Sequence, residues 1–159
     1  MPDALASTRI EPATLDDLSS LTELLSVLFE EGEDFTPDTI KQQHGLRLIL
    51  EQPNRGRIFV ARSDHKIVGM VNILFSISTA EGGLVILLED LVIHPEHRGE
   101  GFGTRLVEHV IDFAKAKDFK RITLLTDKIG EDAQKFFKRH GFNHSKMIPM
   151  RLNFAQDEP

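Results

Sequence analysis

A glycine-rich turn carries the clearest chemical signal in this sequence. Arg98 is followed by glycines at the alternate positions 99, 101 and 103, directly before an amphipathic stretch. Glycine lets a backbone approach an anion without a side-chain clash, and the first amides of a helix present unpaired N–H groups. An arginine can add a charge-assisted hydrogen bond. The turn therefore predicts a phosphate site. The alternative is a strand-to-helix connection that needs only the backbone freedom of glycine.

Two common nucleotide motifs fit this turn poorly. Nucleotidase loops require a lysine followed by serine or threonine, which the turn lacks. In the dinucleotide pattern the strand before the turn is the first one, and an acidic residue ends the following strand about 20 residues later. Here the strand is internal, and no acidic residue ends a following strand at that distance. A plain nucleotide-binding fold that takes NAD is kept as a remote alternative.

Two adjacent carboxylates, Glu89 and Asp90, interrupt the most apolar run of the chain, residues 84–93. A run that is apolar on both faces is typical of a strand at the centre of a covered sheet. Strict alternation along this strand predicts that Glu89 shares a face with Leu87 and Leu91 and that Asp90 points the other way. On that prediction the two carboxylates cannot serve one site.

The elements that position these residues follow from hydrophobic periodicity and from turn residues. Strands are predicted at 8–12, 57–61, 66–78, 84–93, 121–126 and 142–154, and helices at 14–28, 36–51, 106–117 and 133–140. The order is strand, two helices, three strands, helix, strand, helix, strand. This order predicts an α/β fold with a mixed sheet, flanked by helices and containing a central strand–helix–strand crossover.

Composition limits the classes of function. The 159 residues predict one domain, 1–159, with an ordered core over about 7–154. A formal charge of -6 argues against a nucleic-acid surface and suits a cationic partner. The chain has no Cys, which excludes disulfides and a cysteine nucleophile. No stretch has the length of a membrane span or the form of a signal peptide, so we expect a soluble, cytoplasmic protein.

The sequence resembles the GCN5-related N-acetyltransferase (GNAT) superfamily over almost the whole domain. Residues 98–103 match its coenzyme A pyrophosphate motif, residues 88–93 match its fourth strand, and residues 131–142 resemble its last-helix motif. The resemblance implies a mostly antiparallel sheet with four flanking helices. It also implies a splay between the fourth and fifth strands, with acetyl-coenzyme A as co-substrate in the gap.

In the resembled family, backbone groups of the fourth strand bind the pantetheine arm like an added strand, and amides of the turn hold the pyrophosphate. Carried over to this sequence, the cofactor-binding residues are Leu91, Val92, Ile93, Arg98, Gly99, Glu100, Gly101, Phe102, Gly103, Thr104 and Phe137. No metal is expected, because His94 and His97 lack a third ligand.

Acetyl transfer to an amine needs a group that removes a proton, since an alkyl amine is mostly protonated at neutral pH. Glu89 is the predicted catalytic base and matches a carboxylate given that role in several members of the resembled family. Asp90 is the weaker candidate, and the alternative is that either acid only pairs with a basic residue or is solvated at a strand irregularity. The family implies that a backbone N–H near Leu91 polarises the thioester carbonyl.

The departure of the thiolate is where the sequence differs from the family. The family often has Tyr at the position of Phe137 and Asn at the position of Gly130, and this chain contains no Tyr. A thiol with a pKa near 8.5 leaves tolerably as thiolate, so catalysis is compatible with Phe137. The second hypothesis is a non-catalytic acetyl-coenzyme A sensor or regulatory subunit.

The acceptor is predicted to be a primary amine of a small molecule or a peptide. An acidic loop lies between the first two helices, which in the resembled fold borders the acceptor site; its acids are Glu30, Glu31, Glu33 and Asp34. These acids attract a cationic amine or form a solvated charge run. A homodimer is a further expectation, because dimers are common in the family.

Overall fold

The computed structural model describes residues 7–32, 37–126 and 131–154. The chain divides into two compact units, residues 1–127 and 128–159. The single domain expected over residues 1–159 stays a prediction.

The first unit contains five strands and three α-helices in its described part. The strands are β1 (Thr8–Pro12), β2 (Gly56–Ser63), β3 (Lys66–Ser78), β4 (Gly83–Ile93) and β5 (Ile122–Leu124). The helices are α1 (Leu18–Glu31), α2 (Thr39–Leu50) and α3 (Phe102–Ala116), with short 3-10 turns at Leu15–Asp17 and Pro95–His97.

The five strands form one sheet in the order β1-β2-β3-β4-β5. The first four pair antiparallel, and β5 pairs parallel to β4 after the crossover through α3. The predicted mixed sheet with a central strand–helix–strand crossover is therefore confirmed.

Helices cover both faces of the sheet because β2 is apolar on both sides. Ile58 and Val60 pack in a buried cluster with Leu21 of α1 and Leu46 of α2. Phe59, which lies between them, makes an edge contact with Phe113 of α3, with 5.4 Å between the ring centroids. Side chains alternate across a strand, so α1 and α2 lie on one face and α3 on the other. Each such fully buried side chain stabilises the fold by about 1.5–3 kcal/mol.

The helices on the first face begin at polar caps. Thr14 and Asp17 form a reciprocal capping box before α1, and the Asp17 carboxylate also accepts a 2.8 Å hydrogen bond from Arg62 of β2. The Asp38 carboxylate accepts from the Lys41 amide at the start of α2. Such caps contribute about 0.5–2 kcal/mol each. The capping box precedes the 3-10 turn that leads into α1, and Asp38 is the N-cap of α2.

The second unit contains α4 (Glu131–Arg139), with acids in its first turn and bases in its last. These charges complement the helix dipole. Phe137 contacts Phe136 and Phe142 through edge-on ring pairs within this unit. Gly141 follows the helix at a φ of 96°, which suits glycine at a helix end.

The predicted strand at residues 142–154 was wrong: this segment has no strand among the residues described. Its large apolar side chains are exposed, namely Met147, Ile148, Met150, Leu152 and Phe154. Alternation supplies a face for packing, but a strand also needs a neighbour that pairs with its backbone groups. Across the described ranges, no helix has the length and apolar character needed to cross a bilayer.

Candidate active site

The glycine turn adopts the conformation that its glycines allow. Gly99 and Gly101 have φ values of 80° and 89°, in the left-handed region that side-chain-bearing residues avoid. Gly101 is the N-cap of α3 and provides no side-chain hydrogen bond to the helix. The first amides of α3 therefore lack a capping side chain, and backbone geometry and helix dipole both favour an anion here.

Arg98 is held by two protein partners. Its Nη atoms donate to both oxygens of Glu31 at 2.9 and 3.1 Å, and its Nε donates to the Ile93 carbonyl at 3.0 Å. The guanidinium thus ties the turn to the end of β4 and to the last residue of α1. Glu31 was not predicted as a partner of Arg98, because the two residues lie 67 positions apart. The expected contact between Arg98 and a phosphate stays a prediction.

A β-bulge lies in β4 at the two carboxylates. Asn72 of β3 pairs with Asp90, whereas the next residue, Ile73, pairs with Leu88. Glu89 is therefore an extra residue on β4, and Glu89 and Asp90 together oppose Asn72.

The bulge overturns the predicted alternation along β4. Leu87 pairs with Leu74 and Leu91 pairs with Val71. Val71 and Leu74 are an odd number of residues apart on β3, so their side chains lie on opposite faces of the sheet. Paired residues share a face, and Leu87 and Leu91 therefore lie on opposite faces as well. The prediction of strict alternation, with Glu89 on a face shared by Leu87 and Leu91, was wrong, because one extra residue resets the pattern at Glu89.

Asp90 lies in a partly buried polar environment. Its Oδ2 accepts a 3.0 Å hydrogen bond from Nδ2 of Asn72, which is only 4% exposed. Burial raises the pKa of Asp90 to about 6; the bond from Asn72 lowers it and the nearby charge of Glu89 raises it further. Glu89 itself is exposed. Asn72 was not predicted as a site residue, although a single amide within the apolar run 67–75 was a usable signal.

The sheet splays directly beside the bulge. The β4–β5 ladder joins Ile86, Leu87 and Leu88 to Ile122, Thr123 and Leu124, and it ends there. Within the described residues, the β4 edge from 89 to 93 therefore has no strand on that side. The predicted splay between the fourth and fifth strands is confirmed, although β5 is three residues long rather than the predicted six.

The other predicted site residues lie in several places. Glu100 lies 3.3 Å from Nδ1 of His97, and Phe102 is buried at the first position of α3. Phe137 belongs to the second unit. The predicted residues Glu33, Asp34 and Gly130 lie outside the described residues. In the part of the chain that the structure describes, no three His, Asp or Glu side chains are grouped to hold a metal.

The family model of the acetyltransferase (GNAT) family matches residues 18–142. An uncharacterized N-acetyltransferase of Methanocaldococcus jannaschii is 26% identical over 140 residues, which cover 87% of this chain and 62% of that protein. The chain thus spans less than two thirds of that relative's length.

Solved structures share the fold. A possible acetyltransferase from Clostridium difficile 630 has a TM-score of 0.85 at 16% identity, with 94% of this chain and 99% of that chain covered. An aminoglycoside N-acetyltransferase in complex with coenzyme A has a TM-score of 0.77 at 16% identity, with 93% and 95% covered. The matched sequence model, the splayed sheet and the glycine turn agree: this chain belongs to the acetyltransferase (GNAT) family.

Proposed function

We propose that this chain binds acetyl-coenzyme A beside β4 and transfers the acetyl group directly to a primary amine of a small molecule or a peptide. The observation that carries the proposal is the free β4 edge at 89–93, which leads into the uncapped start of α3. Location in the cytoplasm and a homodimer stay predictions.

The residues present fit the two polar parts of the coenzyme. An unpaired strand edge offers N–H and C=O groups at Leu91, Val92 and Ile93 to an extended amide chain such as pantetheine. The amides of residues 99–104 offer donors and a helix dipole to the pyrophosphate. The relative solved with coenzyme A supports the same class of ligand for this fold. Acetyl-coenzyme A supplies the activated thioester, and this chain holds it beside an acceptor.

Glu89 is the proposed base. The amine nitrogen attacks the thioester carbon, the carbon–sulfur bond breaks, and the sulfur leaves with the electron pair. The proton removed from the nitrogen passes to Glu89, directly or through water. The bulge supports this role, because it places an exposed carboxylate at the point where the β4–β5 ladder ends. A backbone N–H near Leu91 polarises the carbonyl.

The absence of Tyr favours a second candidate function. With Phe137 at the position where the family often has Tyr, no phenol protonates the departing sulfur. A thiolate leaves without such help, and general acid assistance contributes only about 10²–10⁴-fold. If turnover fails, the chain is an acetyl-coenzyme A sensor or regulatory subunit.

A thiol-release assay distinguishes the two functions. Acetyl-coenzyme A is incubated with polyamines, amino acids, aminoglycosides and peptide N-termini, and binding is measured in parallel by calorimetry. We expect saturable binding and amine-dependent thiol release, with kcat about 10²–10⁴-fold lower in Glu89→Gln while binding is retained. Glu108→Gln, which removes one exposed charge from α3, is the control. Binding without turnover on any acceptor supports the sensor, and no binding of acetyl-coenzyme A contradicts both functions.

A further inference from the structure

The glycine turn has one permanently charged cation, and that side chain is already paired. Arg98 is the only Lys or Arg in residues 94–104. Its two Nη atoms donate to both carboxylate oxygens of Glu31 at 3.1 and 2.9 Å, so a carboxylate fills the planar fork that matches a phosphate. The next cation along the chain, Arg105, donates to Oγ1 of Thr8 at 2.6 Å. An anion that enters the turn therefore meets a guanidinium whose charge is neutralised.

The carboxylate that pairs with Arg98 lies at an unfavourable place in its own helix. Glu31 is the last residue of α1, Glu30 precedes it, and the sequence of this last turn contains no basic residue. Acids at the C-terminus of a helix face the negative end of the helix dipole, so the helix alone does not explain Glu31. The compensating cation comes from 67 positions away. Residues that break a local rule in this way are found most often where they have a functional task.

The contact between Arg98 and Glu31 is one that a ligand can open. The two side chains are 45% and 49% exposed, and ion pairs at such exposure are weak. Nε of Arg98 donates to the Ile93 carbonyl at 3.0 Å, and this bond does not involve Glu31. It holds the guanidinium at the end of β4 while the Nη edge changes partners. A pyrophosphate that also receives amide N–H bonds has more charge and more donors than a single carboxylate has here.

We propose that Glu31 is a built-in competitor of the coenzyme pyrophosphate for the Nη edge of Arg98, hereafter the Glu31 latch. This inference rests on the proposed function and adds a determinant of coenzyme affinity that lies on α1, outside the turn and the strand edge. In the free protein, the latch keeps Arg98 in a closed ion pair. On binding, Glu31 yields Arg98 to the pyrophosphate and turns to solvent. The affinity for the coenzyme is reduced by the strength of the latch.

A role for Glu31 that is only structural makes the opposite prediction for binding. If the ion pair only stiffens the turn, removal of the Glu31 carboxylate weakens both the fold and the binding of the coenzyme. If Glu31 is a latch, the same change weakens the fold and tightens the binding. The sign of the change in Kd therefore separates the two roles.

The test compares the wild type with Glu31→Gln by calorimetric titration of acetyl-coenzyme A, without any amine, and by urea denaturation. We expect Kd to be about 1.5- to 5-fold lower in Glu31→Gln, the change that corresponds to a half-exposed ion pair, while the urea midpoint falls. Dephospho-coenzyme A, which keeps the pyrophosphate and lacks the ribose phosphate, should show the same gain. Glu23→Gln removes an exposed acid from the same helix and should keep the wild-type Kd.

A double-mutant cycle assigns the effect to Arg98. In a chain that carries Arg98→Gln, the addition of Glu31→Gln should leave Kd unchanged, because no guanidinium remains for which the carboxylate competes. If Arg98→Gln does not fold, Arg98→Met takes its place.

Three results would overturn the Glu31 latch and leave the acetyl-coenzyme A site intact. They are a Kd in Glu31→Gln at or above the wild-type value, a gain that is absent with dephospho-coenzyme A, and the same gain in the chain that carries Arg98→Gln. A wild type that does not bind acetyl-coenzyme A at all would contradict the proposed function, and the latch with it.

Discussion

Replacing Gly101 with alanine tests the glycine turn through one backbone angle. Gly101 has a φ of 89°, and nothing lies within 4 Å of the position that a Cβ would take. The cost of the alanine is therefore conformational rather than steric. A side-chain-bearing residue in the left-handed region costs about 1–2 kcal/mol. If the turn keeps its shape, this cost lowers the free energy of unfolding. If the turn relaxes, the cost is transferred to acetyl-coenzyme A binding.

In Gly101→Ala, the loss in free energy of unfolding and the loss in free energy of acetyl-coenzyme A binding should therefore sum to about 1–2 kcal/mol. If the whole cost falls on binding, Kd rises about 5- to 30-fold.

Two glycines serve as controls. Gly82 has a φ of 75° and open space around it, in the β3–β4 turn, so Gly82→Ala should lose stability and keep its affinity for the coenzyme. Gly45 lies in α2 with open space and no positive φ, so Gly45→Ala should gain about 0.5–1 kcal/mol.

Urea denaturation measures the free energy of unfolding, and calorimetric titration measures the Kd for acetyl-coenzyme A. The proposed role of the left-handed turn is refuted if Gly101→Ala changes neither the free energy of unfolding nor the Kd, since the left-handed conformation would then play no part in folding or in binding. It is also refuted if Gly82→Ala weakens coenzyme binding as much as Gly101→Ala does, because the effect would not be specific to the turn.

Three further predictions concern charge and packing. Asp90→Asn should stabilise the protein by up to about 3 kcal/mol at neutral pH, because burial raises the Asp90 pKa from 3.8 to about 6. The stability of the wild type falls as the pH rises from 3.8 to about 6, because the folded protein then loses a proton that it holds more tightly than the unfolded chain does. Urea titrations should therefore show that Asp90→Asn is no more stable than the wild type below pH 3.8. Glu31→Gln should lose about 0.2–1 kcal/mol by breaking the half-exposed pair with Arg98, and a loss unchanged at about 1 M salt would contradict an ionic origin. Leu106→Ala should lower the free energy of unfolding by about 2–5 kcal/mol, since Leu106 is fully buried. Urea denaturation should show a lower midpoint and an unchanged m-value, and a loss below about 1 kcal/mol would contradict the place of Leu106 in the core.

The glycine turn and the amphipathic helix after it were readable from the sequence because their causes are local. A positive φ is accessible mainly to glycine, and Gly99 and Gly101 lie where the backbone adopts it, whereas Gly103 lies within α3. The apolar stripe of α3 likewise depends only on residues within the helix. The order of elements followed from these local patterns as far as α4.

The bulge was not readable because register is a property of two strands. Residues 84–93 are apolar on both faces, so the sequence contains no pattern that marks an extra residue at Glu89. The pairing of Asn72 with Asp90 and of Arg98 with Glu31 depends on the same tertiary contacts. The strand predicted at 142–154 failed for a related reason, since alternation in one segment does not supply a partner.

The most direct test of the proposed acetyl-coenzyme A site is amide hydrogen exchange with and without acetyl-coenzyme A. We expect added protection in two segments, the β4 edge at 89–93 and the turn at 99–104, because one coenzyme pairs with the strand edge and with the start of α3. Coenzyme A should protect the same segments, and NAD should protect neither. Saturating acetyl-coenzyme A without protection in these segments, or with protection elsewhere alone, would contradict the proposed site.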